Sequence, residues 1–397
     1  MSKAEYNPPI GLLNKWQIAE RYGDYKGLFS TDPSLEVIFD IIEQGSYFFS
    51  NGLGTFTRGS VGSYSDSNGE IKIAAIDQPR FEHDRNTFLN LGLLLEQEKT
   101  NHFTYSNDFT NAAWVKNGAT ITPNYAIGPD GLMSATRIQF PASAWFMYQL
   151  FARTLGENFT HSFYIKSNGN DKDSFRLYGD SSSQDIEATD EWERYTLSTV
   201  ASTTGSSDYG LRSNSTNDEV DILIAFSQLE KATFASTYIP TSSTAVVREL
   251  DGASIEGAEF TNFYDQTKGT YFVRFNKENI SAVGEILNFS DGTANEQILL
   301  SRKANNEISL VVVDGGVEQA NLSTSVDEGV VSLAFGIEEN NLILAINGEL
   351  IGTDVNLIMP TVDRLEFGKN FNSTIQRFVS FDVFLAQLDI LKLSENS

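Results

Sequence analysis

The sequence predicts an all-β fold: two antiparallel β-sandwich (jelly-roll) domains preceded by a short arm with one helix. Three observations carry that expectation. Aromatic residues are abundant, with 28 Phe and 15 Tyr in 397 residues, and aromatic and β-branched side chains fit a half-buried pleated surface. Short alternating apolar runs recur, bounded by Gly, Asn, Asp and Ser turns. Between the arm and the last few residues, no run carries helical spacing.

The chain is long for one domain. Hydrophobic residues make up 40% and charged residues 20%, enough apolar material for real cores and too little charge for disorder. There is no cysteine, so disulfides and thiolate chemistry are excluded. The net charge of -25 opposes nucleic-acid binding, which needs clustered Lys and Arg. No stretch approaches the roughly 20 apolar residues of a membrane span, and the polar first ten residues predict no cleavable signal.

Residues 1–45 read as an arm. Within them, STDPSLEVIFDIIEQG carries helix signals over 33–44: Asp32 to cap, Pro33 at the first helical position, Gly45 at the end. Leu35, Ile38, Phe39 and Ile42 recur at helical spacing. That face is too small to fold alone, so these four residues are the expected docking contacts of the arm. Residues 46–101 read as a turn-rich β connector. Asn68-Gly69, between Tyr64 and Ile71, is its hairpin cue, and Leu91 to Glu96 its last strand.

Residues 102–245 read as the first sandwich, with strands in HSFYIK (161–166) and VDILIAFSQL (220–229). Polar loops of small residues, such as 181–184, 202–207 and 213–217, are placed to sit at sheet ends, where ligands can bind. A Ser/Thr-rich joint at 240–245 leads into the second sandwich, 246–397. Its strands are separated by the hairpin turns Asp314-Gly315-Gly316, Glu338 to Asn341 and Asn347-Gly348. The end, Leu385 to Leu393, carries a helical turn.

TFTRGSVGSYSDSNGEIKIAAIDQPRFEHD (55–84) and LGLLLEQEKTNHFTYSNDFTNAAWVKNGATITPN (91–124) resemble a recurrent module of phage tail-fibre, receptor-binding and head-fibre proteins. So do FSQLEKATFASTYIPTSSTAVVREL, GTYFVRF, TVDRLEFGKNFN and IQRFVSFDVFLAQLDILKL. The resemblance covers about residues 50–394 and leaves the arm outside. It implies that the first sandwich is carbohydrate-binding-module-like and the second concanavalin/laminin-G-like. It further implies a virion protein, assembled as a homotrimer with other tail or capsid proteins and contacting a host-surface glycan. The family supplies no shared catalytic residues. One departure is local: the strand before QLE usually carries a glycine, and here it reads IAF (224–226).

The residues themselves carry no enzyme signature. His83, His102 and His161 are scattered, and His161 alternates with Phe159 and Phe163 as a sheet residue does. Glycoside hydrolysis needs two carboxylates about 5–9.5 Å apart, and Asp190, Glu191 and Glu193 around Trp192 read as a solvated turn. No cofactor is expected. Calcium is the one ion the segments Asp171 to Asp173 and Asn217 to Asp221 suggest, without EF-hand spacing. Sugar binding needs aromatic faces beside polar groups, which makes Trp145, Tyr148, Tyr178 and Tyr209 the candidate ligand-binding residues, with Phe146 a further aromatic beside them; Tyr178 and Tyr209 adjoin polar loops. Trp114, in NAAW, reads as a packing residue. Three functions fit: a fibre or spike subunit, a head fibre or capsid decoration, and, without a visible catalytic pair, a polysaccharide depolymerase.

Overall fold

A computed structural model describes residues 31, 33–39, 42–142, 146–169, 174–212, 219–277, 283–305 and 307–395. Strands dominate, and every strand pair among the described residues is antiparallel. The chain divides into two compact units. The first comprises Met1–Gly59, Ile76–Gln97 and Leu250–Ser397, the second Ser60–Ala75 and Glu98–Glu249. The expected connector is therefore distributed: Thr55–Thr57, Phe81–His83 and Asn90–Leu95 join sheets of the first unit, while the hairpin of Gly62–Ser65 with Ile71–Ala74 lies in the second. No helix of the described residues is long and apolar enough to cross a membrane.

In the first unit an eight-stranded and a seven-stranded sheet enclose one core. Tyr271 and Phe289 meet across it with ring centroids 4.6 Å apart. The turn chemistry matches the sequence. Gly315 and Gly316 (φ 57° and 77°) join Glu307–Asp314 to Val317–Ser325, and Asn347 and Gly348 (φ 49° and 82°) join Asn341–Ile346 to Glu349–Asp354. Paired positive φ values are what a two-residue hairpin needs to match strand twist. The C-terminal helix Gln387–Glu395 covers the other side of the larger sheet through Ile390 and Leu393.

The helix expected over 33–44 is corrected by the structure. Leu35–Ile38 is a strand on Ser373–Phe381, in register from Leu35 opposite Ser380 to Ile38 opposite Arg377, and the helix is Ile42–Ser50. LEVIF satisfies helical and strand patterns alike, and an open position on a neighbouring strand decides between them. Ile38 and Phe39 are buried in their own unit, and Leu35 packs on its core. Ile38 and Phe39 are thus covered within this unit, and Leu35 is partly so. Ile42 opens the helix.

A cluster of buried charges ties the first unit together. Arg58 Nη1 donates to Asp251 Oδ1 at 3.1 Å, and Arg80 pairs with both Asp251 and Glu96, the latter at 2.8 Å. Asp251 Oδ2 also accepts the Glu96 amide at 2.8 Å, and Asp77 accepts the Arg58 amide at 2.8 Å. Burial alone would lower the Arg80 pKa, but the two carboxylates raise it above its ordinary value.

In the second unit two five-stranded sheets enclose a separate core. Glu193–Val200, Asn158–Ser167, Val220–Glu230, Ala135–Phe140 and Thr120–Ala126 form one sheet, in that order. Ser182–Glu187, Ser174–Gly179, Gly205–Arg212, Phe146–Arg153 and Val115–Asn117 form the other. Trp114 is buried against Phe103 and Phe109, its indole N–H donating to the Tyr105 carbonyl at 3.1 Å. The Lys116 ammonium closes that loop by donating to the carbonyls of Phe109, Thr110 and Asn111.

Removing Asp251 leaves two buried guanidinium groups without a shared carboxylate. Asp251→Ala is expected to destabilise the first unit by about 3–5 kcal/mol in chemical denaturation. A loss below about 1 kcal/mol would show that the cluster does not hold the unit.

Candidate functional site

The alternation of strand side chains sorts the aromatic residues of the second unit between core and surface. In Phe146–Arg153, Met147 faces the core, so Phe146, Tyr148 and Leu150 face outward. In Ser174–Gly179, Phe175 and Leu177 face the core, and Arg176 and Tyr178 lie on the opposite side, where Tyr178 is itself buried at 4% exposure. In Gly205–Arg212, Tyr209 and Leu211 face the core and Asp208, Gly210 and Arg212 outward.

Register then aligns the outward residues into rows. One row runs Val115, Tyr148, Gly210, Tyr178, Ser183, and the next runs Asn117, Phe146, Arg212, Arg176, Asp185. Gly210 is the hinge of the first row. A Cβ there would lie 2.1 Å from the Met147 carbonyl oxygen and 2.7 Å from the Tyr148 Cα, so only glycine fits. With no side chain between them, the Tyr148 and Tyr178 rings meet edge to face at 6.5 Å, and Phe146 adjoins Tyr148 at 5.3 Å. The Arg212 guanidinium lies 4.8 Å from the Tyr178 ring centroid, a cation–π contact. Burial, then the neighbouring Asp208 carboxylate, raises the Tyr178 hydroxyl well above its ordinary pKa. Arg176 donates to Asp185, which lowers the Asp185 pKa and raises that of Arg176.

Of the four candidate aromatics, the sheet brings Tyr148 and Tyr178 together. Tyr209 is a correction: it is fully buried beside Phe159 and His161, because it falls on the inward phase of its strand. Trp145 lies outside the described residues. Gly210 and Arg212 were not singled out from the sequence, where only strand phase and pairing could have found them. Asp221, from one suggested calcium segment, is held by Arg137 at 2.8 and 2.6 Å and by Asn168 at 3.1 Å. Asp171 to Asp173, Asn217 and Asp218 lie outside the described residues, and among those described no group of three acidic or His side chains is placed to hold a metal. Asp190, Glu191 and Glu193 are exposed.

A concavity of about 410 Å3 lies elsewhere in the unit, walled by Phe226, Tyr238, Ile71, Ile73, Leu132 and Pro240. The rings of Phe226 and Tyr238 stack at 4.4 Å and 14°. Phe226 has φ 51°, in a bulge where pairing to Asn158–Ser167 jumps between Ser162 and Tyr164. A left-handed backbone costs a non-glycine residue about 1–2 kcal/mol. The Asn107 side chain holds it by accepting the Phe226 amide at 3.0 Å. The residue that IAF puts at this left-handed position is Phe226.

Comparison with known proteins gives no matching family model and no matching curated protein. Among solved structures, the chain is similar to the CBM40 domain of the Ruminococcus gnavus IT-sialidase bound to α2,3 sialyllactose, at 16% identity and TM-score 0.28 over 32% of this chain and 83% of that one. It is similar to the binding domain of botulinum neurotoxin DC in complex with rat synaptotagmin II, at 15% identity and TM-score 0.32 over 36% and 40%. It is also similar to the leech intramolecular trans-sialidase, at 12% identity and TM-score 0.30 over 35% and 25%.

Behind the tyrosine row, His161 is fully buried, and neither ring nitrogen has a hydrogen-bond partner of good geometry. It is a packed sheet residue, as its alternation with Phe159 and Phe163 suggests. Burial lowers its pKa from 6.5 to about 3, with the Gly210 carbonyl opposing weakly. The unfolded chain takes up this proton below pH 6.5 while the folded one does not until about pH 3, so stability is lost across that window as pH falls. Between about pH 7.5 and pH 5 the loss from this group is about 2 kcal/mol. His161→Phe should lack that increment when urea midpoints are compared at the two pH values; equal acid sensitivity would show that another group is responsible.

Proposed function

We propose that this chain is a non-enzymatic structural protein of a phage particle, a tail-fibre or spike subunit whose second unit presents a glycan-contacting face. The observation that carries the glycan reading is the row of Tyr148, Gly210 and Tyr178 with Phe146 and Arg212 beside it. A sugar ring has apolar faces and polar edges, and this surface offers the half-exposed rings of Phe146 and Tyr148, with Tyr178 buried behind them, next to charged hydrogen-bonding groups. The virion reading is supported by the resemblance over residues 50–394. Docking on the particle then belongs to the part of the arm before Leu35, and a homotrimer is the proposed assembly. A head fibre would share the face and differ in where the arm attaches.

Purified full-length protein should bind host cells and compete with infection, and it should bind a subset of an immobilised glycan panel. Tyr148→Ala should weaken glycan binding about tenfold, equivalent to about 1.4 kcal/mol, without lowering the melting temperature. A folded wild-type chain that binds neither cells nor glycans would sink the adhesin reading. Labelled antibody on intact particles should mark the tail; label on the capsid would support the head-fibre form, and no label would remove the virion assignment.

A further inference from the structure

We infer that the ligand of this face is an acidic glycan, with an anionic substituent of the sugar, a carboxylate or a sulfate, seated on Arg212. The inference rests on the glycan-contacting reading above and specifies its chemistry.

The charges of the face are unevenly committed. Arg176 is bound to Asp185. Arg212, next to Arg176 in the same row, makes no ion pair among the described residues. It lies instead against the Tyr178 ring, whose hydroxyl is beside Asp208. In a chain of net charge -25, a cation in the middle strand of a sheet, flanked by Phe146 and backed by Tyr178, would ordinarily be paired with one of the many carboxylates. A guanidinium presents a planar fork of donors that matches carboxylate and sulfate oxygens in pairs. Contact with the Tyr178 ring also orders the side chain in advance, which reduces the entropy lost when an anion binds.

The rest of the face fits the remainder of such a ligand. Tyr148 lies on the next row, one strand away across from Gly210, and supplies an aromatic surface for a ring. Asp208, on the same phase of the strand as Arg212, has its carboxylate beside the Tyr178 hydroxyl and is placed to accept a hydrogen bond from a sugar hydroxyl. An anion-binding group, an aromatic ring and a hydrogen-bond-accepting carboxylate thus share one face of the sheet.

The test uses full-length protein and matched oligosaccharides: one bearing a sialic or uronic acid, the same one with its carboxyl reduced to the alcohol, a sulfated one and the neutral parent. The acidic glycan should bind at least tenfold more tightly than the carboxyl-reduced form. That preference should shrink as salt is raised and should vanish in Arg212→Gln. Arg212→Lys should retain part of it. Preference for carboxylate over sulfate, or equal binding of both, identifies the anion, and either supports the inference. Equal binding of the acidic, reduced and neutral glycans would overturn it while leaving the glycan reading intact, whereas a folded chain that binds none of them overturns both. The wild-type comparison decides the matter even if Arg212→Gln fails to fold.

Discussion

The buried contact of Arg58, Arg80, Glu96 and Asp251 is the constraint on which the first unit depends. The chain passes between its two units four times, and Arg58, Asp77, Glu96 and Asp251 each stand one residue in from a boundary. Buried charges are unfavourable singly and tolerable only when each finds a partner in good geometry. Two guanidinium groups and two carboxylates meet that condition only if residues 58, 80, 96 and 251 come together. Two ladders start beside them: Thr57 pairs with Gly252 next to Arg58 and Asp251, and Leu95 pairs with Ser373 next to Glu96. One belongs to each sheet. The cluster therefore anchors the register of both sheets, and a one-residue slip would turn their core faces outward.

Register has the same authority in the second unit, where it makes a surface. No single strand contains the tyrosine row. Phe146–Arg153 contributes Tyr148, Ser174–Gly179 contributes Tyr178, and Gly205–Arg212 separates them with its only residue that lacks a Cβ on that face. Gly179 does the converse inside, since a Cβ there would lie 2.6 Å from the Tyr209 ring. Two glycines thus set which tyrosine fills the core and how closely the half-exposed Tyr148 approaches the buried Tyr178 on the opposite side of the sheet.

Much of the fold was legible because it is written locally. Two-residue turns at Gly315-Gly316 and Asn347-Gly348 need left-handed backbone, and the sequence supplies residues that tolerate it. Alternation in Asn158–Ser167 and the apolar run of Val220–Glu230 announce strands whatever surrounds them. The strand Leu35–Ile38 was misread as helix because its partner, Ser373–Phe381, lies more than 300 residues away. The division of 46–101 between two units was hidden for the same reason: contact, not composition, assigns Gly62–Ser65 and Phe81–His83 to different cores. Tyr209 was grouped with Tyr178 because both adjoin polar loops, although their strand phases differ.

Phe226 shows where local rules fail in an informative way. A left-handed residue in a central strand is a position for glycine. Here a phenylalanine occupies it, and the backbone is held by groups from a distant turn: Asn107 accepts the Phe226 amide and the Ser106 carbonyl accepts the Ser227 amide at 2.8 Å. The strain is offset by the stack on Tyr238, whose hydroxyl is fixed at 2.7 Å from Ser106 Oγ. The same short segment, 106–107, therefore holds both the strained backbone and the ring that compensates it. Backbone conformation, side-chain stacking and a sheet bulge are one unit here, and a substitution that relaxes the backbone at Phe226 must give up the aromatic wall that the backbone was bent to build.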